Sequence, residues 1–169
     1  MASALPANRR PTEDATAGAT SDWHRQIRPR RAYRRRMRLR LGIDVAAPSE
    51  LAWQELVELS RWPRWGPTVR AACLDDATGR LYAGATGSVQ TTPGLWLPFR
   101  VDEFCETESK KLWSWRVAGV PATEHSVITR GPSHCRVEMS VPWWAAAYLS
   151  VVAVALSRIR RRVEHGASN

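Results

Sequence analysis

Residues 43–65 read IDVAAPSELAWQELVELSRWPRW, and the order of their parts decides the fold. Just upstream, Leu39, Leu41, Ile43 and Val45 alternate with Arg38, Arg40, Gly42 and Asp44. That period of two describes a strand with one face in a core. Pro48 then stands where a helix begins, because the N–H it lacks belongs to a first turn whose donors have no helical partner anyway. Ala52, Leu56 and Leu59 follow at helical spacing, with Trp53 and Val57 widening the stripe, so this short helix lies on a sheet. Pro63, Gly66 and Pro67 stop it and force an elbow that carries Trp62 and Trp65.

Working towards the C-terminus, short alternating segments fall near residues 69–74, 85–92, 97–106, 112–118, 123–129 and 135–141. DDATGR, TTPG, ESKK, GVP and RGPSH punctuate them at hairpin spacing, which predicts an antiparallel meander. The chain closes with WWAAAYLSVVAVALSRIRRRVEHGASN, free of Pro and Gly between Trp143 and His165, which predicts one long helix. Tyr148, Val152, Leu156, Ile159 and Val163 make its apolar face. Its first half is apolar nearly all round, but residues 141–156 would span only about 24 Å, short of the roughly 30 Å of a bilayer's hydrocarbon core. A buried helix is favoured over a membrane span, for which Arg158, Arg160, Arg161 and Arg162 would be the cytoplasmic anchor.

The 169 residues, 44% of them hydrophobic, suit one globular unit. Nine Trp stand against two Phe. Flat indoles with an N–H donor suit the walls of a cavity for mixed apolar and polar ligands, with simple core filling as the alternative. The net charge of +9 is unevenly spread: residues 1–36 hold nine Arg and three acids, and the rest of the chain is only mildly basic. Three segments are expected: a disordered Arg-rich tail over 1–36, a domain over 37–165, and a disordered C-terminus over 166–169. The run at residues 25–40 suits an anionic membrane surface or nucleic acid, with Tyr33 free to stack. A merely solvated tail, or translation starting at Met37, is the alternative.

No apolar h-region follows the tail arginines, so no secretory signal is expected. Cys73, Cys105 and Cys135 are odd in number and far apart, and they read as reduced thiols of a cytoplasmic protein, with peripheral membrane attachment left open. His24, His125, His134 and His165 lack metal-ligand spacing, and there is no G-x-S-x-G, P-loop or dinucleotide fingerprint. No metal or cofactor is expected.

Strand, helix and elbow, meander and closing helix together resemble the START-related polyketide cyclase and lipid-transport superfamily, SRPBCC. The residues that carry the resemblance are the opening stretch, LPFRVDEFCETESKKLWSWRVAG, ATEHSVITRGPSHCRVEMSV and the terminal helix, covering residues 37–163. It implies an α+β helix-grip fold, in which a curved antiparallel sheet of about seven strands wraps a long C-terminal helix around an apolar cavity. Functions in that superfamily range from ligand carriage to polyketide cyclisation, so membership does not fix the chemistry.

Alternation names the residues that would line such a cavity. Trp113, Trp115 and Val117 share a face, as do His125, Val127 and Thr129, and Val137, Met139 and Val141. If the faces coincide, the concave surface carries Trp113, Trp115, His125, Thr129 and Met139, closed by Tyr148 and Val152 and extended by Phe99 and Val101. The resemblance places Trp65 and Trp96 at mouth loops. His125 is the one inward group able to exchange a proton near neutral pH, against the alternative of a core histidine. No acid is paired with it across the surface, whereas Arg100 and Glu124 read as solvated outer residues. The expected function is carriage or sensing of a lipid, polyketide or aromatic metabolite. The alternatives are a cyclase or aromatase using His125 as general acid/base, and membrane or nucleic-acid association through the tail.

Overall fold

The computed structural model describes residues 37–167. The expectations for the Arg-rich tail over 1–36 and for residues 168–169 lie outside these described residues. The alternation around Ile43 becomes β1 (Arg38–Val45), which pairs antiparallel with β7 (His134–Pro142) through Leu41 opposite Met139 and Ile43 opposite Val137. α1 (Ser49–Val57) and the elbow helix α2 (Trp62–Trp65) follow, joined by a 3-10 turn at Leu59–Arg61. Then come β2 (Val69–Leu74), β3 (Thr86–Thr91), β4 (Trp96–Glu106), β5 (Lys110–Val117), β6 (Val120–Gly131) and β7. The sheet order is β1-β7-β6-β5-β4-β3-β2, antiparallel throughout, so the six-strand meander is completed by the first strand docking on the last. α3 (Leu149–Ala167) lies across the concave side against β1, α1 and α2. This is the α+β helix-grip architecture expected from the sequence.

The hairpin between β5 and β6 turns on Ala118 and Gly119, both at positive φ (49° and 78°), the mirror-image turn whose twist matches that of paired strands. Gly87 is required by contact: a Cβ there would sit 2.2 Å from the Cys73 carbonyl and 2.9 Å from the Phe99 ring. On the convex face Gly42 leaves room for the Arg136 guanidinium, which bridges Asp44 and Glu138.

The closing segment departs from the single helix expected over 143–165. A 3-10 turn occupies Trp143–Tyr148, with Ala145 outside helical geometry, and the regular helix begins at Leu149. The reason lies in the sheet: the Trp143 amide donates to the Met37 carbonyl (3.0 Å), extending the β1–β7 pairing past Pro142, so the chain must turn before it can coil. Val152, Ala155, Leu156, Ile159 and Val163 form the buried face of α3, which runs on to Ala167, beyond the expected domain end at 165. No helix among the described residues is long and apolar enough to cross a membrane. The buried Glu55 carboxylate accepts from Arg61 (3.0 Å) and Arg162 (2.9 Å), clamping the elbow and α3 to α1.

Candidate functional site

The site is built on the end of α1. The last four carbonyls of a helix lack intrahelical donors, and here each finds one. The Gln54 carbonyl accepts from the Glu58 amide (3.1 Å), and that of Val57 from the Leu81 amide (2.9 Å). Glu55 and Leu56 are served by indoles: Trp65 Nε1 donates to the Glu55 carbonyl (2.8 Å) and Trp62 Nε1 to that of Leu56 (3.0 Å). The W-P-R-W elbow is thus a side-chain cap that folds two aromatic rings under the sheet.

There they meet the inward faces of β5 and β6. Trp62 stacks parallel to Trp113 (centroids 5.6 Å apart) and presents an edge to Trp115 (5.3 Å). Trp113 stacks in turn on His125, its cross-strand partner, at 4.0 Å and 17°. Trp115 donates through Nε1 to Thr123 Oγ1 (2.9 Å), which lies 3.3 Å from His125 Nε2. Burial drives the His125 imidazole down to a pKa of about 3, the Arg38 guanidinium pushing the same way. Burial likewise raises the Cys135 thiol to about 11, with the Asp44 carboxylate adding to the effect.

The indoles fill most of the space beneath α3. What remains between Trp65, Trp113, His125, Met139 and Val152 is an inner chamber of about 40 Å³. Beyond it opens an apolar pocket of about 300 Å³, walled by Val69, Val89, Trp115, Val117 and Val141. Val120 and Trp144, 49% and 55% exposed, stand at its rim. Thr68, Val69, Trp115, Thr123 and Tyr148 line both spaces and form the neck between them, where the Thr68 and Tyr148 hydroxyls are 2.7 Å apart.

The structure gathers Trp65, Trp113, Trp115, His125, Met139, Tyr148 and Val152 around the chamber. Phe99 and Val101 are buried in the core without lining either space. Trp96 is 48% exposed at the start of β4 and lines neither. Thr129 hydrogen-bonds Ser49 and the Glu108 carbonyl, beside the start of α1. On the outer sheet face, Glu124 pairs with Arg40 (3.3 Å) and Arg100 is exposed. The larger pocket is walled in part by Val69, Val89, Thr123 and Trp144, which sequence reasoning did not single out. The available signal was the apolar alternation of β2 and β3, which names a face and not the end of the sheet left open. Among the described residues, no three His, Cys, Asp or Glu side chains are grouped to hold a metal.

No protein-family model and no curated protein sequence matches this chain. Solved structures do share its fold. A hypothetical protein from Helicobacter pylori superposes with a TM-score of 0.63 at 12% identity, over 92% of this chain and 99% of that one. A protein from Thermobifida fusca gives 0.53 at 24% identity, over 76% and 93%. The di-domain aromatase/cyclase BexL of the BE-7585A biosynthetic pathway gives 0.56 at 14% identity, over 75% of this chain and 46% of its own. At these identities the likeness is one of fold: a helix-grip-like architecture that an aromatase/cyclase and several hypothetical proteins also have.

Proposed function

We propose that this protein is a member of the SRPBCC superfamily that binds an apolar small molecule, a lipid, polyketide or aromatic metabolite, as a carrier or sensor. The observation that carries this reading is the 300 Å³ apolar pocket at the open end of the grip, floored by Trp115 and bounded by the Thr68–Tyr148 pair. A ligand there gains about 25 cal/mol for each Å² of apolar surface it buries. The sequence reading put the hollow directly under α3. Because the indoles occupy that space, the binding volume shifts outward to the mouth. The aromatase/cyclase among the fold neighbours supports a ligand-binding role.

Carriage is preferred over a cyclase mechanism because a general acid/base works best with a pKa near the working pH, and burial holds His125 at about 3. The test is native mass spectrometry of freshly purified protein beside a solvent-extracted sample. A bound molecule is expected in the first, with a shift of Trp emission on its removal, and Val89→Trp should reduce its occupancy by filling the pocket. Identical masses and spectra for the two samples would overturn the reading.

A second reading is favoured by the exposed indole pair that follows β7. Trp143 and Trp144 are 61% and 55% exposed, and the Trp143 amide is held by Met37. Met37 directly follows a run, residues 25–36, with seven Arg and no acid. Exposed Trp and a polybasic run in one chain supply the chemistry of docking on an anionic bilayer. Co-sedimentation with vesicles of phosphatidylcholine and phosphatidylserine tests it. Binding should fall with salt, lose that dependence without residues 1–36, and weaken at every salt in Trp143→Ala/Trp144→Ala. No vesicle binding at low salt would remove the reading.

A further inference from the structure

We propose that the outer pocket fills from a membrane. The end of the sheet at which it lies is a docking face for an anionic bilayer, Arg70 and Arg158 are its contacts to lipid phosphate, and the ligand passes between bilayer and pocket without entering bulk water. The inference rests on the ligand-binding reading above and adds the source of the ligand, together with an anion site on the folded domain that is separate from the Arg-rich run before Met37.

Antiparallel order brings five parts of the chain to that end: the start of β1, the loop into β2, the β3–β4 turn, the β5–β6 turn and the exit of β7. Backbone bonds tie them in pairs. The Thr92 amide donates to the Thr68 carbonyl (3.0 Å), the Ala118 amide to that of Pro98 (2.8 Å) and the Trp143 amide to that of Met37 (3.0 Å). Both turns carry exposed apolar side chains, as the exit of β7 does. Leu95 and Trp96 are 61% and 48% exposed at the β3–β4 turn, and Val120 follows the β5–β6 turn. One exposed hydrophobe is ordinary, but several gathered at one end mark an interaction surface.

The charge at this end has one sign. Residues 66–70, 90–98, 116–123 and 141–156 contain no Asp or Glu. The first acids beyond those stretches along β4 and β6 are already paired, Asp102 with Arg116 (2.8 Å) and Glu124 with Arg40 (3.3 Å). Arg70 of β2 and Arg158 of α3 differ. They line a groove with Pro67 and Thr92, beside the β3–β4 turn, and among the described residues neither guanidinium has an ion-pair or hydrogen-bond partner. A guanidinium is weakly hydrated and forks onto phosphate oxygens, so two of them in one groove suit the phosphate of a lipid.

A bilayer meets these features better than a folded partner does. Its interface takes up indole rings and apolar tips at separate points without a matching surface, and its negative surface potential draws arginine side chains. The pocket argues the same way. Val120 and Trp144 belong both to its wall and to the exposed apolar end, so a face seated on the bilayer sets the pocket against a hydrocarbon solvent. An apolar ligand then leaves one apolar surrounding for another, and its surface is never exposed to water on the way.

The test uses the full chain loaded with 2-ethylnaphthalene, and vesicles of phosphatidylcholine with and without phosphatidylserine. Transfer of the probe, followed by its fluorescence, should quicken as vesicle concentration rises and quicken further with phosphatidylserine, because release requires docking. Arg70→Ala/Arg158→Ala should weaken co-sedimentation with the phosphatidylserine vesicles about tenfold. Leu95→Asp, on an exposed turn outside the pocket wall, should slow transfer to both kinds of vesicle. Both variants should hold the probe as tightly as the natural sequence, which also reports that they fold. A transfer rate indifferent to vesicle concentration would overturn loading from the membrane. Vesicle binding unaltered in both variants would leave docking to residues 1–36 and overturn the face assigned here. No binding to either vesicle would overturn the proposal in favour of a protein partner for the exposed end. A probe that never binds would sink the carrier reading and loading with it, while co-sedimentation of the two variants would still decide the docking face.

Discussion

The hydroxyls of Thr68 and Tyr148 meet at 2.7 Å across the neck between the inner chamber and the outer pocket. One comes from the loop after the elbow, the other from the last residue of the turn before α3, so the bond ties the two flaps of the mouth. Tyr148→Phe removes it while keeping the ring. Because Tyr148 is partly exposed, the stability loss should be small, within about 1 kcal/mol. Exchange of an apolar probe of the outer pocket, 2-ethylnaphthalene, measured by stopped-flow fluorescence, should become faster. Unchanged rates in Tyr148→Phe would mean that the bond does not gate the neck.

Trp62 and Trp113 make an opposed pair of Trp-to-Phe substitutions. Trp62→Phe leaves the buried Leu56 carbonyl without its donor, at a cost of about 2 kcal/mol on top of the lost ring volume. Trp113→Phe gives up no hydrogen bond within the protein, so it should cost less. Urea unfolding of the two variants ranks them. The reverse order would show that ring volume, not capping of α1, sets the value of the elbow.

That contrast bears on what the sequence disclosed. Strand alternation at Leu39–Val45, the Pro48 start of α1 and the Pro/Gly elbow each reflect a local rule of backbone geometry, and each appears where expected. The inward set Trp113, Trp115, His125 and Met139 was legible for the same reason, since a period of two names a face. How far the rings fill that face was not legible. It depends on the elbow swinging Trp62 and Trp65 towards β5 and β6, a long-range packing outcome with no local signature. Thr129 shows the limit of alternation: it has the register of His125 but lies four residues further along β6, where Ser49 and Glu108 engage it. The break before α3 was hidden too, because it arises from the Met37–Trp143 bond between ends of the domain that are remote in sequence.

The three thiols should separate by reactivity. Cys73 and Cys105 are exposed, whereas Cys135 is buried with its pKa raised to about 11, so little thiolate forms there at pH 8. Titration with a chromogenic disulfide reagent should label two groups in the folded protein and the third only in denaturant. Prompt labelling of all three would show that the β1–β7 edge opens readily.

His125 links the aromatic stack to pH. Its folded pKa of about 3 lies below the unfolded value of 6.5, so between those limits the unfolded chain binds the extra proton. The stability owed to the neutral ring is therefore complete above pH 6.5 and drains away as the pH falls towards 3. The slope approaches roughly 1.4 kcal/mol per pH unit. Between pH 7.5 and 5, above most carboxylate titrations, the loss should be about 2 kcal/mol by urea unfolding. His125→Gln has no proton to take up, so its stability should be nearly level over that interval even if its absolute value is lower. Parallel pH profiles for the two proteins would mean that His125 reaches water in the folded state.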